Sequence, residues 1–219
     1  MKNAILLFLM SAFYFAGYAQ SIEEQVQELV KFHVLNESNI LNANLTSVNQ
    51  VGTNNNIVAI QQNEGPCLNY VYSQQQGQTN IGYIEQTGDA HVTLLNQEGQ
   101  GNEANLWSEG SLTYTQIDQT GSYNTINSYI DNHGLLPKAA LLQQTGNNNS
   151  IDFALLGNGC LSDSWPKGAY IKQTGNDLEV TALFDSYQCP VYIEQQSGTG
   201  GGMSINISTT AFSFPMKKF

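Results

Sequence analysis

The sequence predicts an all-β protein: a β-solenoid of about seven 22-residue rungs, each with two short parallel strands, preceded by a short helix. Three observations lead there. Gln-x-Gly recurs in steps of eleven residues along most of the chain. Apolar and Asn residues keep the same step at fixed offsets. The residues that interrupt the step fall at one kind of turn.

Composition fits such a fold. The chain has 219 residues, of which 41% are hydrophobic and only 11% charged, with a formal net charge of -11 and no Arg. Charge is under half the usual share of about 25%. Gln and Asn make up about a fifth of the residues. A charge-poor, amide-rich chain is either prion-like and disordered or a β-structure stacked on amide ladders. The acidity excludes a basic footprint for nucleic acid or anionic membrane surfaces.

Residues 1–19 read as a signal peptide: Lys2, then the apolar run AILLFLMSAFYFAG, then small residues at Gly17 and Ala19. Cleavage is expected after Ala19, leaving Gln20. The rival, a membrane anchor, is disfavoured because the run is short for a span and no basic stop-transfer follows. The mature chain is therefore expected to be exported, with no transmembrane segment.

Residues 20–47 break the repeat. Ser21-Ile22-Glu23-Glu24 has the form of a capping box, with Ile22, Val26, Leu29, Val30 and His33 near one helical face. Such a helix either covers the open edge of the first rung or serves as an export or docking element.

Residues 48–207 carry the register. With i at the Gln, the A halves start at Gln50, Gln75, Gln97, Gln119, Gln144, Gln173 and Gln195, and the B halves at Gln61, Gln86, Ser108, Ile130, Leu155 and Phe184. Position i−2 is apolar at Val48, Leu95, Ile117, Leu142, Ile171 and Ile193. Position i+5 is Asn at Asn55, Asn80, Asn102, Asn124 and Asn149. Glycine occupies i+2 at Gly52, Gly77, Gly88, Gly99, Gly110, Gly121, Gly146, Gly157 and Gly175, where a bend needs freedom from a Cβ. Residues two apart share a strand face, so i−2 and i, and likewise i+5 and i+7, point together.

The step from A to B is eleven throughout, and extra residues (three after 61, three after 130, seven after 155) fall only from B to A. Near the end, Gln195 continues the YIEQ pattern but Gln196 has the Gly two residues on, so a one-residue bulge is expected. Stacked at about 4.8 Å, seven rungs would stand roughly 34 Å tall. Each Gln column could then donate and accept along its length. The B column decays toward ordinary apolar core after Gln86.

These residues resemble the curlins, subunits of bacterial curli amyloid. Their repeat is built on Gln-x-Gly-x-Gly-Asn-x-Ala followed by a second Gln; QEGQGNEA (97–104) matches the first part, and QVGTNNNI (50–57), QTGSYNTI (119–126) and QTGNNNSI (144–151) match in part. The departures are the lost second Gln after Gln86, the missing opening Ser, the insertions and the cysteines. The resemblance implies a secreted subunit of a Gram-negative cell surface that crosses the outer membrane through a dedicated channel with accessory proteins. It would polymerise with itself or with other curlin-type subunits into fibres for biofilm and adhesion, as a main, minor or nucleating subunit. The alternative is a capped, monomeric extracellular solenoid that binds glycan or a surface partner.

Cys67, Cys160 and Cys189 all fall in B-to-A connections. A Cys160–Cys189 disulfide between successive rungs is geometrically permitted; Cys67 is too far to join, and three unpaired thiols is the bland reading. His33, His91 and His133 lack ligand spacing, so no catalytic residue, metal or cofactor is expected and the chain is not read as an enzyme. Residues 208–219 form a C-terminal tail or cap.

Overall fold

A computed structural model describes residues 44–62, 65, 69–131, 138–156, 169–185, 192–197 and 202–209, all within the unit Glu37–Phe219. The elements are β1 (Asn44–Thr53), β2 (Asn56–Gln61), β3 (Asn69–Gln78), β4 (Ile81–Gln86), β5 (Asp89–Gln100), β6 (Glu103–Leu106) and β7 (Ser111–Ser122). They continue with β8 (Thr125–Tyr129), β9 (Lys138–Asn147), β10 (Ser150–Leu156), β11 (Ala169–Asn176), β12 (Leu178–Asp185), β13 (Tyr192–Gln196) and β14 (Met203–Thr209).

Odd-numbered strands form one seven-stranded sheet in chain order, and even-numbered strands form another. Every pairing is parallel. Parallel neighbours need a crossover connection. Here the strand of the opposite sheet supplies it, so the chain winds as a β-solenoid and the fold is all-β.

Register follows the sequence repeat. Gln50 pairs with Gln75, Gln75 with Gln97, Gln97 with Gln119, Gln119 with Gln144, Gln144 with Gln173 and Gln173 with Gln195. Because side chains alternate, a one-residue slip would turn every inward column outward. The core lies between the sheets: Leu95, Ile117, Leu142, Ile171 and Ile193 from the first, with Ile84, Leu106, Ile126, Ile151, Phe153 and Val180 from the second. Ser73 stands in the first of these columns, paired with Val48 and Leu95, and is fully buried.

Three boundaries differ from expectation. β1 begins at Asn44, so the winding starts four residues before 48, inside the segment assigned to the cap. Extra residues are not confined to B-to-A turns. Phe184 pairs with Thr209 while Gln173 pairs with Gln195, so eleven residues separate the halves of one coil and fourteen those of the next. The expected one-residue bulge is a three-residue insertion between β13 and β14, and Gln195, not Gln196, keeps the column. The expected helix near residues 21–35, the tail from 210, Gly157 and all three cysteines lie outside the described residues.

Candidate stacking surface and amide ladders

Six side-chain hydrogen bonds join the seven glutamines of the first sheet. Each Nε2 donates to the Oε1 of the next: Gln50 to Gln75 at 2.6 Å, Gln75 to Gln97 at 2.7 Å, Gln97 to Gln119 at 2.8 Å, Gln119 to Gln144 at 3.0 Å, Gln144 to Gln173 at 2.9 Å and Gln173 to Gln195 at 2.8 Å. The second Nε2 hydrogen goes to backbone carbonyls across the core, as from Gln97 to Ile81 O (2.9 Å) and Asn102 O (3.1 Å). Gln75, Gln97, Gln119, Gln144, Gln173 and Gln195 are all buried. A buried amide left unpaired costs about 1–3 kcal/mol, so the ladder removes a penalty from every coil as well as adding bonds.

Asn forms a second ladder at the corner between the sheets. The Nδ2 of Asn55, Asn80, Asn102, Asn124 and Asn149 donates to the carbonyl of Gly77, Gly99, Gly121, Gly146 and Gly175 in the following coil, at 2.8–3.1 Å. Each Oδ1 accepts the next backbone N–H in the column: Asn80, Asn102, Asn124, Asn149 and finally Leu178, at 3.0–3.1 Å. Leu178 has no amide to pass on. Asn is thus selected because one short side chain serves a donor and an acceptor of the coil above it.

The glycines at i+2 explain themselves by close approach. Gly52, Gly77, Gly99, Gly121, Gly146 and Gly175 have φ of +115 to +132. A Cβ on Gly52, Gly77, Gly99, Gly121 or Gly146 would overlap the glycine carbonyl of the next coil, and one on Gly175 would overlap Ser197. They lie within the strands rather than at the bend. The bend itself is at i+4, where Asn54, Thr79, Gly101, Tyr123, Asn148 and Asp177 take left-handed φ of +54 to +64. That position was missed because it is Gly only once; the Asn and Asp residues there were its available signal.

The second Gln column behaves otherwise. Gln61 and Gln86 are in register, yet no bond joins their side chains. Gln61 Nε2 reaches Leu45 O at 3.5 Å, and Gln86 Oε1 accepts from Thr93 Oγ1 at 2.7 Å while its Nε2 has no partner. The expected ladder there is corrected to two separate contacts. Further along, Ile130 and Leu155 are buried core.

At the opposite corner, which contains Gly88 and Gly110, Asn69 acts as the interior asparagines do. Its Nδ2 donates to Gly88 O at 2.9 Å and its Oδ1 accepts His91 N–H at 3.1 Å. His91 is fully buried, with Nδ1 2.6 Å from Thr113 Oγ1 and 3.2 Å from Ser108 Oγ, and Nε2 against Thr87 O. Burial lowers its pKa below the ordinary value of 6.5, with the backbone carbonyls and Asp89 opposing.

Outside the ladders, Asp118 on the first sheet accepts from Asn96 (2.7 Å), Gln116 (2.8 Å) and Gln143 (3.3 Å). On the second sheet, Trp107 and Tyr129 stack with centroids 4.4 Å apart, and Tyr129 donates to Glu109 at 2.7 Å. Burial of Tyr70 pushes its phenol up to about 12. Among the described residues, no group of three or more His, Cys, Asp or Glu side chains is arranged to hold a metal ion.

No family model, curated protein or solved structure matches the chain.

Proposed function

We propose that the chain is a secreted structural subunit of curli-like extracellular amyloid fibres, serving biofilm and adhesion at the surface of a Gram-negative bacterium. It stacks about seven two-strand rungs behind a cleaved leader and an N-terminal helical segment. An outer-membrane channel and its accessory proteins deliver it. The observation that carries this reading is the unbroken Gln ladder, since a column whose every member bonds its like can be extended by another copy or another subunit. Among the described residues β1 pairs only with β3, so its exposed outer edge also presents strand groups to a partner. Purified mature protein, alone or mixed with a solenoid chain that ends in a complete Gln-x-Gly-x-x-Asn coil, should give thioflavin-positive fibres with cross-β diffraction. A chain that stays monomeric and β-rich under seeding would sink the proposal.

The second reading is a capped, monomeric solenoid that binds glycan or a surface partner. It is favoured by the burial of Ile193 and Gln195, the last described members of the apolar and Gln columns of the first sheet.

A further inference from the structure

The first and last coils are not equivalent, and the difference specifies what can stack on this chain. If both edges of the first sheet were open, their inward columns would be exposed alike. Yet on β1 Gln50 is exposed and Val48 is 45% exposed, whereas their column mates on β13, Gln195 and Ile193, are 1% and 5% exposed. The corner signals are also lost at one end only. Ser197 stands after Gly175 in the glycine column, its hydroxyl accepting from Asn176 N–H at 3.1 Å, and the corner that follows is three residues longer. The Asn column stops at Leu178.

The β1 edge keeps every signal and leaves three groups unanswered. In interior coils the preceding coil supplies a Gln Nε2 to the Gln Oε1, an Asn Nδ2 to the Gly carbonyl, and an Asn Oδ1 to the Asn backbone N–H. Among the described residues, Gln50 Oε1, Gly52 O and Asn55 N–H receive none of these. A complementary surface must therefore end in a complete Gln-x-Gly-x-x-Asn unit, with its strands parallel to β1 and β2. The last coil of this chain meets one requirement of three, through Gln195.

We propose that β1 and β2 form the stacking surface of this chain, and that its occupant is the C-terminal edge of a different solenoid chain ending in a complete Gln-x-Gly-x-x-Asn coil. The inference rests on the fibre reading and assigns the chain to a fibre end, with the first sheet open at β1 and its inward columns covered at β13.

The test uses full mature protein and, as probe, a synthetic peptide of residues 111–129, which carries a complete unit and both strands of a coil. The peptide should bind saturably and slow amide exchange in β1 and β2, leaving β13 and β14 unchanged. A control peptide with Leu in place of Gln119 and Asn124 should bind at least about tenfold more weakly. Val48→Lys, an inward charge on the open edge, should weaken capture of the unmodified peptide at least about tenfold. Gln196→Lys, at an exposed outward position of β13, should change it less than about twofold. Should Val48→Lys not fold, the exchange footprint on wild-type protein decides alone. Absent saturable binding, a footprint on β13 or β14, or equal effects of the two Lys variants would each overturn the inference. Fibre growth by the chain alone that both variants stop would overturn it while leaving the fibre reading intact. Neither fibres nor peptide capture would overturn both.

Discussion

The two glutamine columns face each other across one core and have had different fates. In the first sheet, seven glutamines each meet a glutamine, and the ladder runs unbroken. In the second, Gln86 is followed in the column by Ser108, whose hydroxyl turns instead to His91 and Thr113. Gln86 is left with a buried Nε2 that has no partner. The contrast shows that a buried polar column is stable only while each member meets its like. Once one is lost, its neighbour becomes a cost of about 1–3 kcal/mol, and apolar replacement such as Ile130 and Leu155 becomes favourable.

The most severe way to break the ladder half is through its backbone spacing. Gly99 and Gly101 sit two apart in QEGQGNEA, yet they do different things. Gly99→Ala would place a Cβ on the Gly121 carbonyl at φ +120, a rigid obstacle in a conformation L residues avoid. It should cost more than about 4 kcal/mol and prevent soluble folding in many preparations. Gly101, at φ +64, takes the place held elsewhere by Asn54, Asn148 and Asp177, and its Cβ would meet only the movable ring of Tyr123. Gly101→Asn should stay within about 1 kcal/mol of wild type. Urea melts of the pair distinguish close approach from turn geometry.

That pair also measures how far the fold was legible. The period of eleven, the paired halves and the inward columns were visible because a stack forces each offset to repeat. What the Gly did was not visible: glycine at a bend and glycine under a neighbouring carbonyl look alike in one dimension. The true bend was hidden because left-handed φ is tolerated by Asn54, Thr79 and Tyr123 alike. The Gln61–Gln86 pairing was overread, since register brings two amides near but Thr93 competes for the acceptor. The Asn ladder residues were found by recurrence; Asn69, which performs the same task once, offered no recurrence to find.

A middle-sized effect separates the two columns directly. Gln119→Leu removes the acceptor for Gln97, the donor to Gln144, and the bonds to Glu103 O and Asn124 O. The loss should be about 2–4 kcal/mol, from several buried bonds and a Gln144 Oε1 left without its donor. Gln86→Leu loses one bond from Thr93 but also removes an unpartnered Nε2, so its cost should not exceed about 1 kcal/mol. Equal destabilisation of the two variants in chemical denaturation would contradict the account of the ladder.

The corner of the broken column should also respond to acid. The folded pKa of His91 lies below its ordinary 6.5 because it is buried. The unfolded chain therefore binds the proton first. The stabilising contribution is complete above about pH 6.5 and is lost as pH falls through that value toward the lower folded pKa. The backbones of Thr87, Gly110 and Glu109 and the Asp89 carboxylate oppose the shift; Lys138, two coils along in the same column, adds a further buried amine. Within that window the unfolding constant should rise up to about tenfold per pH unit. His91→Asn, which places in the column the residue found at Asn69, should flatten this slope. Unchanged slopes would remove His91 from the account.

The smallest effect concerns an apolar column that contains one polar residue. Ser73 lies between Val48 and Leu95 in register, fully buried, and its hydroxyl has no partner. In the Gln column a lone apolar residue would orphan its neighbours; here a lone polar residue orphans only itself. Ser73→Val should therefore stabilise the protein by about 1 kcal/mol, through removal of the unsatisfied hydroxyl and burial of added methyl surface. The volume gained must fit between the side chains of Val48 and Leu95, one of which stands at the open edge with room to adjust. Thermal melts of Ser73→Val and Ser73→Ala separate the two contributions. If Ala stabilises and Val does not, the column is already full and the hydroxyl alone was the defect; if neither does, the hydroxyl finds an acceptor in solution.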